Sequence, residues 1–346
     1  MFEKVLVGYA GEPAGHDAIV LAAWLARAAN ARLTVVFPYR PLLARETSEQ
    51  AQVRIEAEVG AQLAALGGSE CESSASVVQG SSVGASLTEG PAVAEYLWSS
   101  SSWPIRALHE LARYEGADLI VLGAAPATLG ERLQPSLMER LVHGAPCAVA
   151  VAPAGYADAI LARLQPASDR DEEPGKPSAL ALRGPTRIGV GFASTPEGRA
   201  ATELACELAG RTGAGVRAIA GAGLEPALAS YAFSSPALQE VEDELYAETK
   251  LALVRACEDL GVGAGVAIEP ETVRGEPARV LVERSSELDL LVLGSRAYGP
   301  VRHVLLGSVS AQAMREAHCP VLVVPRGVGG EDERLQEHPP NAPRPA

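Results

Sequence analysis

Leu291-Val292-Leu293-Gly294-Ser295-Arg296-Ala297-Tyr298-Gly299, followed by Val304-Leu305-Leu306-Gly307-Ser308-Val309-Ser310, decides how this chain is read. The apolar run closing on glycine reads as a buried strand, the polar stretch as a loop, and Gly307-Ser308 as the start of an amphipathic helix. That order presents backbone N–H groups and the positive end of a helix dipole to one point, an arrangement that holds anions. A phosphate-bearing ligand is therefore the first expectation. The stretch ends in Cys319-Pro320-Val321-Leu322-Val323-Val324-Pro325, a short β-branched strand closed by proline. An earlier echo runs from Ala117-Asp118-Leu119-Ile120-Val121-Leu122-Gly123 to Ala145-Pro146-Cys147-Ala148-Val149-Ala150-Val151-Ala152-Pro153. The order of strand, helix, Pro/Cys and strand occurs twice, so the chain is a tandem duplication.

Composition agrees. The 346 residues are 47% apolar, enough for two cores at about 100 to 200 residues per domain. Aromatics are only 4%, so Ala/Val/Leu packing must fill the interior, which suits helices laid on a sheet. Five cysteines (Cys71, Cys147, Cys206, Cys257, Cys319) are scattered without C-x-x-C spacing, and His143 and His318 lack companion ligands. Neither a disulfide framework nor a metal site is implied. A net charge of -14 argues against nucleic acid and anionic membranes as partners. The first residues enter a strand without a leader pattern, and no run approaches the ~20 apolar residues of a membrane span, so a cytoplasmic location is expected.

In the first half the periodicity predicts strands at 4–9, 32–37, 74–79, 119–123 and 147–152, with helices at 16–29, 46–66, 104–114 and 132–143. The Ser/Gly-rich stretch 80–102 reads as an irregular insertion. The second half predicts strands at 187–192, 215–220, 267–273, 288–294 and 321–324, alternating with helices at 197–210, 237–260, 277–287 and 308–317. Strand–helix alternation implies an α/β fold with parallel sheets and right-handed crossovers. Residues 154–185, which include a short helical piece and a charged Pro-containing run, read as a linker, and 327–346 as a disordered tail.

With these residues in view, the chain resembles a tandem universal stress protein, with one domain at 1–153 and a second at 186–326. The likeness rests on Val5-Leu6-Val7-Gly8-Tyr9 and Ile188-Gly189-Val190-Gly191-Phe192, on Gly275-Glu276-Pro277-Ala278-Arg279-Val280-Leu281, and above all on the Gly294 to Val324 block. It implies two doubly wound, five-stranded, Rossmann-like domains of the adenine nucleotide alpha hydrolase type, with ligands at the carboxyl ends of the strands. Family members either bind ATP or have lost it. The binding signature is glycine, two residues, glycine, nine residues, then glycine and Ser/Thr. Gly294, Gly307 and Ser308 match it, while Ala297 replaces the middle glycine and Ala193 stands where ATP binders carry an acid for the ribose. In the first half Gly123 matches, but Pro126, Pro135-Ser136 and Ala10 depart from the pattern.

The resemblance thus implies a nucleotide site made of Gly191, Ala193, Leu293, Gly294, Arg296, Ala297, Gly307, Ser308 and Val309, taking ATP or another adenine nucleotide with Mg2+. A left-handed alanine costs about 1 to 2 kcal/mol and a lost ribose hydrogen bond about 1.5 to 3 kcal/mol, so affinity falls unless Arg296, Arg302 or His303 compensates. Two readings follow: a noncatalytic nucleotide sensor, or a protein-interaction module of the same family without nucleotide. An enzyme lacks support, because the chain has no Walker lysine loop, nucleophile elbow or metal cluster. The two apolar last strands are expected to pair as an intramolecular pseudo-dimer that hides their edges. A homodimer and an unspecified protein partner complete the expected associations.

Overall fold

Short apolar strands must bury both faces, and here each strand before the last is followed by a helix that folds back over the sheet. The computed structural model describes residues 1–9, 13–38, 48–66, 94–99, 104–124, 137–164, 185–224, 235–295, 304 and 306–325. The first half runs β1 (Lys4–Gly8), α1 (Pro13–Ala29), β2 (Arg32–Pro38), α2 (Ser48–Ala65), β3 (Ala94–Ser99), α3 (Pro104–Glu115), β4 (Leu119–Gly123), α4 (Leu137–Val142), β5 (Ala148–Ala152) and α5 (Tyr156–Leu164). The second runs β6 (Arg187–Gly191), α6 (Pro196–Thr212), β7 (Gly215–Ala222), α7 (Pro236–Ala264), β8 (Ile268–Arg274), α8 (Pro277–Ser285), β9 (Leu290–Gly294), α9 (Ser308–Glu316) and β10 (Val321–Val324).

All strands join one ten-stranded sheet in the order β3-β2-β1-β4-β5-β10-β9-β6-β7-β8. Each half is a doubly wound parallel sheet of five strands, and the halves meet where β10 pairs antiparallel with β5, Leu322 opposite Ala150. The last strands therefore pair as their composition suggests. The two large cores are sorted by sheet face rather than by half, and a small third cluster of Ala218, Ala220, Leu253 and Cys257 lies under α7. One face buries Leu21 and Leu25 of α1 together with Leu204 and Leu208 of α6. The other buries Val149 and Val151 with Leu291, Met314 and Val323. Pairing at the seam makes each face continuous across the duplication.

The repeats also share a polar device. Asp118, just before β4, accepts hydrogen bonds from the N–H groups of Glu3 (2.8 Å) and Lys4 (3.0 Å) at the start of β1. Asp289, just before β9, does the same for Thr186 (3.0 Å) and Arg187 (3.1 Å) at the start of β6. Each carboxylate satisfies strand-end amides that have no ladder partner.

One expectation changes. The third strand of the first half is Ala94–Ser99, paired in parallel with β2 from Leu33↔Ala94 to Pro38↔Ser99. It falls inside the stretch read as an insertion, and the expected strand at 74–79 lies outside the described residues. The Ser/Gly flanks hid a run whose Tyr96, Leu97 and Trp98 favour a strand. The short helical piece expected after residue 154 is α5, which packs on α1 with Tyr156 and Ala157 buried.

Asp17 explains that docking. This α1 residue is 3% exposed, and its carboxylate accepts from the N–H groups of Gly155 (2.9 Å) and Ala157 (2.7 Å) at the start of α5. A carboxylate at a helix N-terminus meets both free amides and the favourable end of the dipole. Asp17→Ala strands both donors and is expected to cost about 2 to 3 kcal/mol in urea unfolding. A loss near zero would mean that α5 docks by apolar packing alone.

Four cysteines (Cys147, Cys206, Cys257, Cys319) are buried and free. Burial pushes the thiols of Cys147 and Cys319 up to about 12, from an ordinary 9.0. A raised folded value means that the stability held by the neutral thiols is complete below pH 9 and is lost as pH climbs toward about 12. Folding stability is therefore expected to fall steadily above pH 9, and Cys147→Ala with Cys319→Ala to flatten that decline. An unchanged alkaline slope in the double variant would contradict this.

Candidate functional site

The carboxyl ends of the second-half strands gather at the point where strand order reverses, between β6 and β9, its neighbour in the sheet. In open α/β sheets this crevice is where ligands bind. On the β6 side Gly191 ends the strand, Phe192 N–H donates to the Ile219 carbonyl at 2.8 Å, and Thr195 caps α6, its hydroxyl oxygen accepting from Gly198 N–H at 3.1 Å. The chain turns tightly here. The Ala193 carbonyl accepts from Thr195 N–H at 2.8 Å, and a Cβ on Gly198 would fall 2.2 Å from that same oxygen. Ala193 brings only a methyl group, so it offers a ribose no side-chain acceptor.

On the β9 side Gly294 lies flush against the first turn of α6, where a Cβ would come within 2.7 Å of the Glu197 carbonyl carbon and oxygen. Packing alone therefore demands glycine at this position. Glu197 is 1% exposed in that turn, where the dipole favours a carboxylate. Its only sequence signal was a Pro-Glu pair at a helix start. Ser295 follows, 7% exposed, with its N–H donated to the Val324 carbonyl at 2.8 Å. Leu293 is core rather than lining: it is 3% exposed, and its Cδ2 sits 2.4 Å from where a Cβ on Gly191 would be.

Helix α9 completes the crevice. Gly307 is its N-cap in extended geometry (φ -84, ψ 167) and provides no side-chain cap, while Ser308 is exposed and Val309 half-buried. The Ser310 hydroxyl donates to the Gly294 carbonyl at 3.3 Å, tying the helix start to the strand end. A helix whose first N–H groups receive no side-chain cap can give them to an anion. The end of β9 at Gly294 is thus held against the first turn of α6 and tied, through Ser310, to the first turn of α9, whereas Arg296, Ala297, Arg302 and His303 lie outside the described residues.

In the first half Gly123 occupies the place of Gly294, and a Cβ there would stand 1.7 Å from the Ala14 carbonyl oxygen. Ala10, Pro126 and Pro135-Ser136 lie outside the described residues. Behind the end of β1, Tyr9 is fully buried, its hydroxyl 3.1 Å from His16 Nε2, which in turn stands 3.6 Å from Glu58. Burial, and then the negative charge of Glu58, hold the Tyr9 hydroxyl well above its usual ionisation range. This group packs β1 against α1 and α2. Among the described residues no group of three or more His, Cys, Asp or Glu is placed to hold a metal ion, and no helix is long and apolar enough to cross a membrane.

Two doubly wound, five-stranded parallel domains in tandem define a Rossmann-like α/β fold. The family model of the universal stress proteins matches residues 1–153 and 185–325, and the chain belongs to that family. A universal stress protein of Methanocaldococcus jannaschii is 34% identical over 87 residues, 25% of this chain and 51% of that one. One from Mycobacterium tuberculosis is 37% identical over 83 residues, 24% of this chain and 28% of that one. The chain thus spans about half the length of the first of these relatives and under a third of the second. The crystal structure of a universal stress protein from Archaeoglobus fulgidus superposes with a TM-score of 0.57 over 94% of this chain and 97% of that one, at 16% identity. That likeness extends over both halves and establishes the shared fold.

Proposed function

We propose that this is a cytoplasmic, noncatalytic stress-response protein whose second domain senses ATP or another adenine nucleotide, with Mg2+ beside the phosphates. The first domain is its built-in dimerisation partner and scaffold. The observation that carries the reading is the start of α9: Gly307 without a capping side chain and Ser308 exposed, both bound through Ser310 to the end of β9 at the switch point. The residues present fit the phosphates. They fit the ribose less well, since Ala193 replaces the acid and its carbonyl is committed to Thr195. That same observation favours the second reading, a protein-interaction module of the family without nucleotide.

Titration calorimetry with ATP, with and without magnesium, separates the two readings. One equivalent per chain is expected. Ser308→Ala should weaken binding about twofold to tenfold, the worth of one hydrogen bond, and Gly307→Phe should abolish it without lowering the melting temperature. Nucleotide bound equally well by both variants would place the ligand elsewhere.

A further inference from the structure

We propose that the first domain positions the anion-holding turn of the second, so that the nucleotide site is composite in its support though not in its contacts. This rests on the nucleotide reading above and adds two positioning residues to it, Gly144 and Glu139. Val304 lies three residues before Gly307 and is fully buried in the core layer shared by α4 and α9. Its N–H donates to the Ala145 carbonyl at 3.0 Å, and its carbonyl accepts from the Gly144 N–H at 2.8 Å. Both polar groups of this buried residue are thus satisfied across the domain boundary, by the turn between α4 and β5.

That turn is specific in shape. Gly144 adopts φ +84, with nothing within 4 Å of where its Cβ would be, so glycine is required there by backbone conformation and not by space. A second tie lies at the other end of the same helix, where Arg315 in the last turn of α9 pairs with Glu139 of α4. Helix α9, whose N-terminus faces the phosphate position, is therefore anchored to the first domain before its start and at its end. The antiparallel β5–β10 seam fixes the strands between these ties. The half that departs most from the binding signature thereby serves the other half's site. By linkage, a ligand held at Gly307-Ser308 must in turn stabilise the contact between the Gly144 turn and Val304.

The test uses the full chain and ATP as the probe. Gly144→Val forces a β-branched residue into a left-handed turn, while Glu139→Arg and Arg315→Glu reverse the ion pair singly and, together, restore it. Each single variant is expected to weaken ATP about threefold or more, the usual scale of coupling between sites. The double reversal should recover most of that loss, and Arg140→Glu, an exposed neighbour on α4, should change nothing. ATP should also slow amide exchange at Gly144 and Val304, a response that general stabilisation of the fold would not confine to these residues. Wild-type affinity in Gly144→Val and in both single reversals would overturn the proposal and leave the nucleotide site standing. Absence of binding by the wild-type chain would overturn both.

Discussion

Gly123→Ala is expected to be among the most damaging single-methyl additions in this protein, costing about 3 kcal/mol or more in urea unfolding. The added Cβ would stand 1.7 Å from the Ala14 carbonyl oxygen, 2.5 Å from its carbon and 3.0 Å from its Cα. All three atoms are backbone in the first turn of α1, so no rotamer change relieves the clash. Strand β4 and the start of α1 must part, and α1 carries Ile19, Leu21 and Leu25, all fully buried. Gly60 supplies the contrast: it lies inside α2 with nothing within 4 Å of its Cβ position, so Gly60→Ala should stabilise by about 0.5 to 1 kcal/mol through helix propensity. Equal and small effects at both positions would mean that the strand end does not abut the helix as described.

Leu322→Ala carries the second large effect and tests the seam. Leu322 is fully buried, opposite Ala150 across the antiparallel β5–β10 pair and beside Val292 of β9. Truncating it removes apolar contact and leaves a cavity that the sheet cannot close, at about 2 to 5 kcal/mol. How the loss is distributed is more informative than its size. All three tryptophans, Trp24, Trp98 and Trp103, lie in the first half, whereas Leu322 belongs to the second. Because the cores run across the seam, tryptophan fluorescence and far-UV circular dichroism should shift together in this variant. A fluorescence transition left in place while the dichroism moves would show the halves to be independently folding beads.

What the sequence revealed follows the range of the interactions concerned. The strand and helix of 290–316 were legible because their signals are local: an apolar run, a closing glycine, and a Gly-Ser pair before an amphipathic stretch. The β5–β10 pairing was legible for a related reason, since two apolar last strands in a duplicated chain leave edges that one another can cover. Asp17 had no local signal, because its partners Gly155 and Ala157 follow it by 138 and 140 positions. Asp118 and Asp289 stand at the same step before their strands, yet only the folded sheet brings them to Glu3 and Thr186. The strand at Ala94–Ser99 was missed because an edge strand needs little alternation and the Ser/Gly flanks dominated the window.

Within the site, Gly294, Gly307 and Ser308 were readable one by one, while the reasons for them were not. Gly294 is fixed by the first turn of α6, whether or not a ligand is present. Leu293 was assigned to the site by its place in the motif, and its side chain belongs to the core. The tie from Val304 to Gly144 left one faint trace in the sequence, an apolar residue shortly before a polar helix start.

The central claim is that the second domain holds one adenine nucleotide at the start of α9. It is tested most directly by denaturing the freshly purified chain, assaying the released nucleotide by chromatography and mass spectrometry, and then titrating the emptied, refolded protein with ATP. The account predicts one adenine nucleotide per chain, released or titratable, and its loss in Gly307→Phe. A chain that releases none and takes up none at several millimolar ATP would contradict it and favour a protein partner in the nucleotide's place.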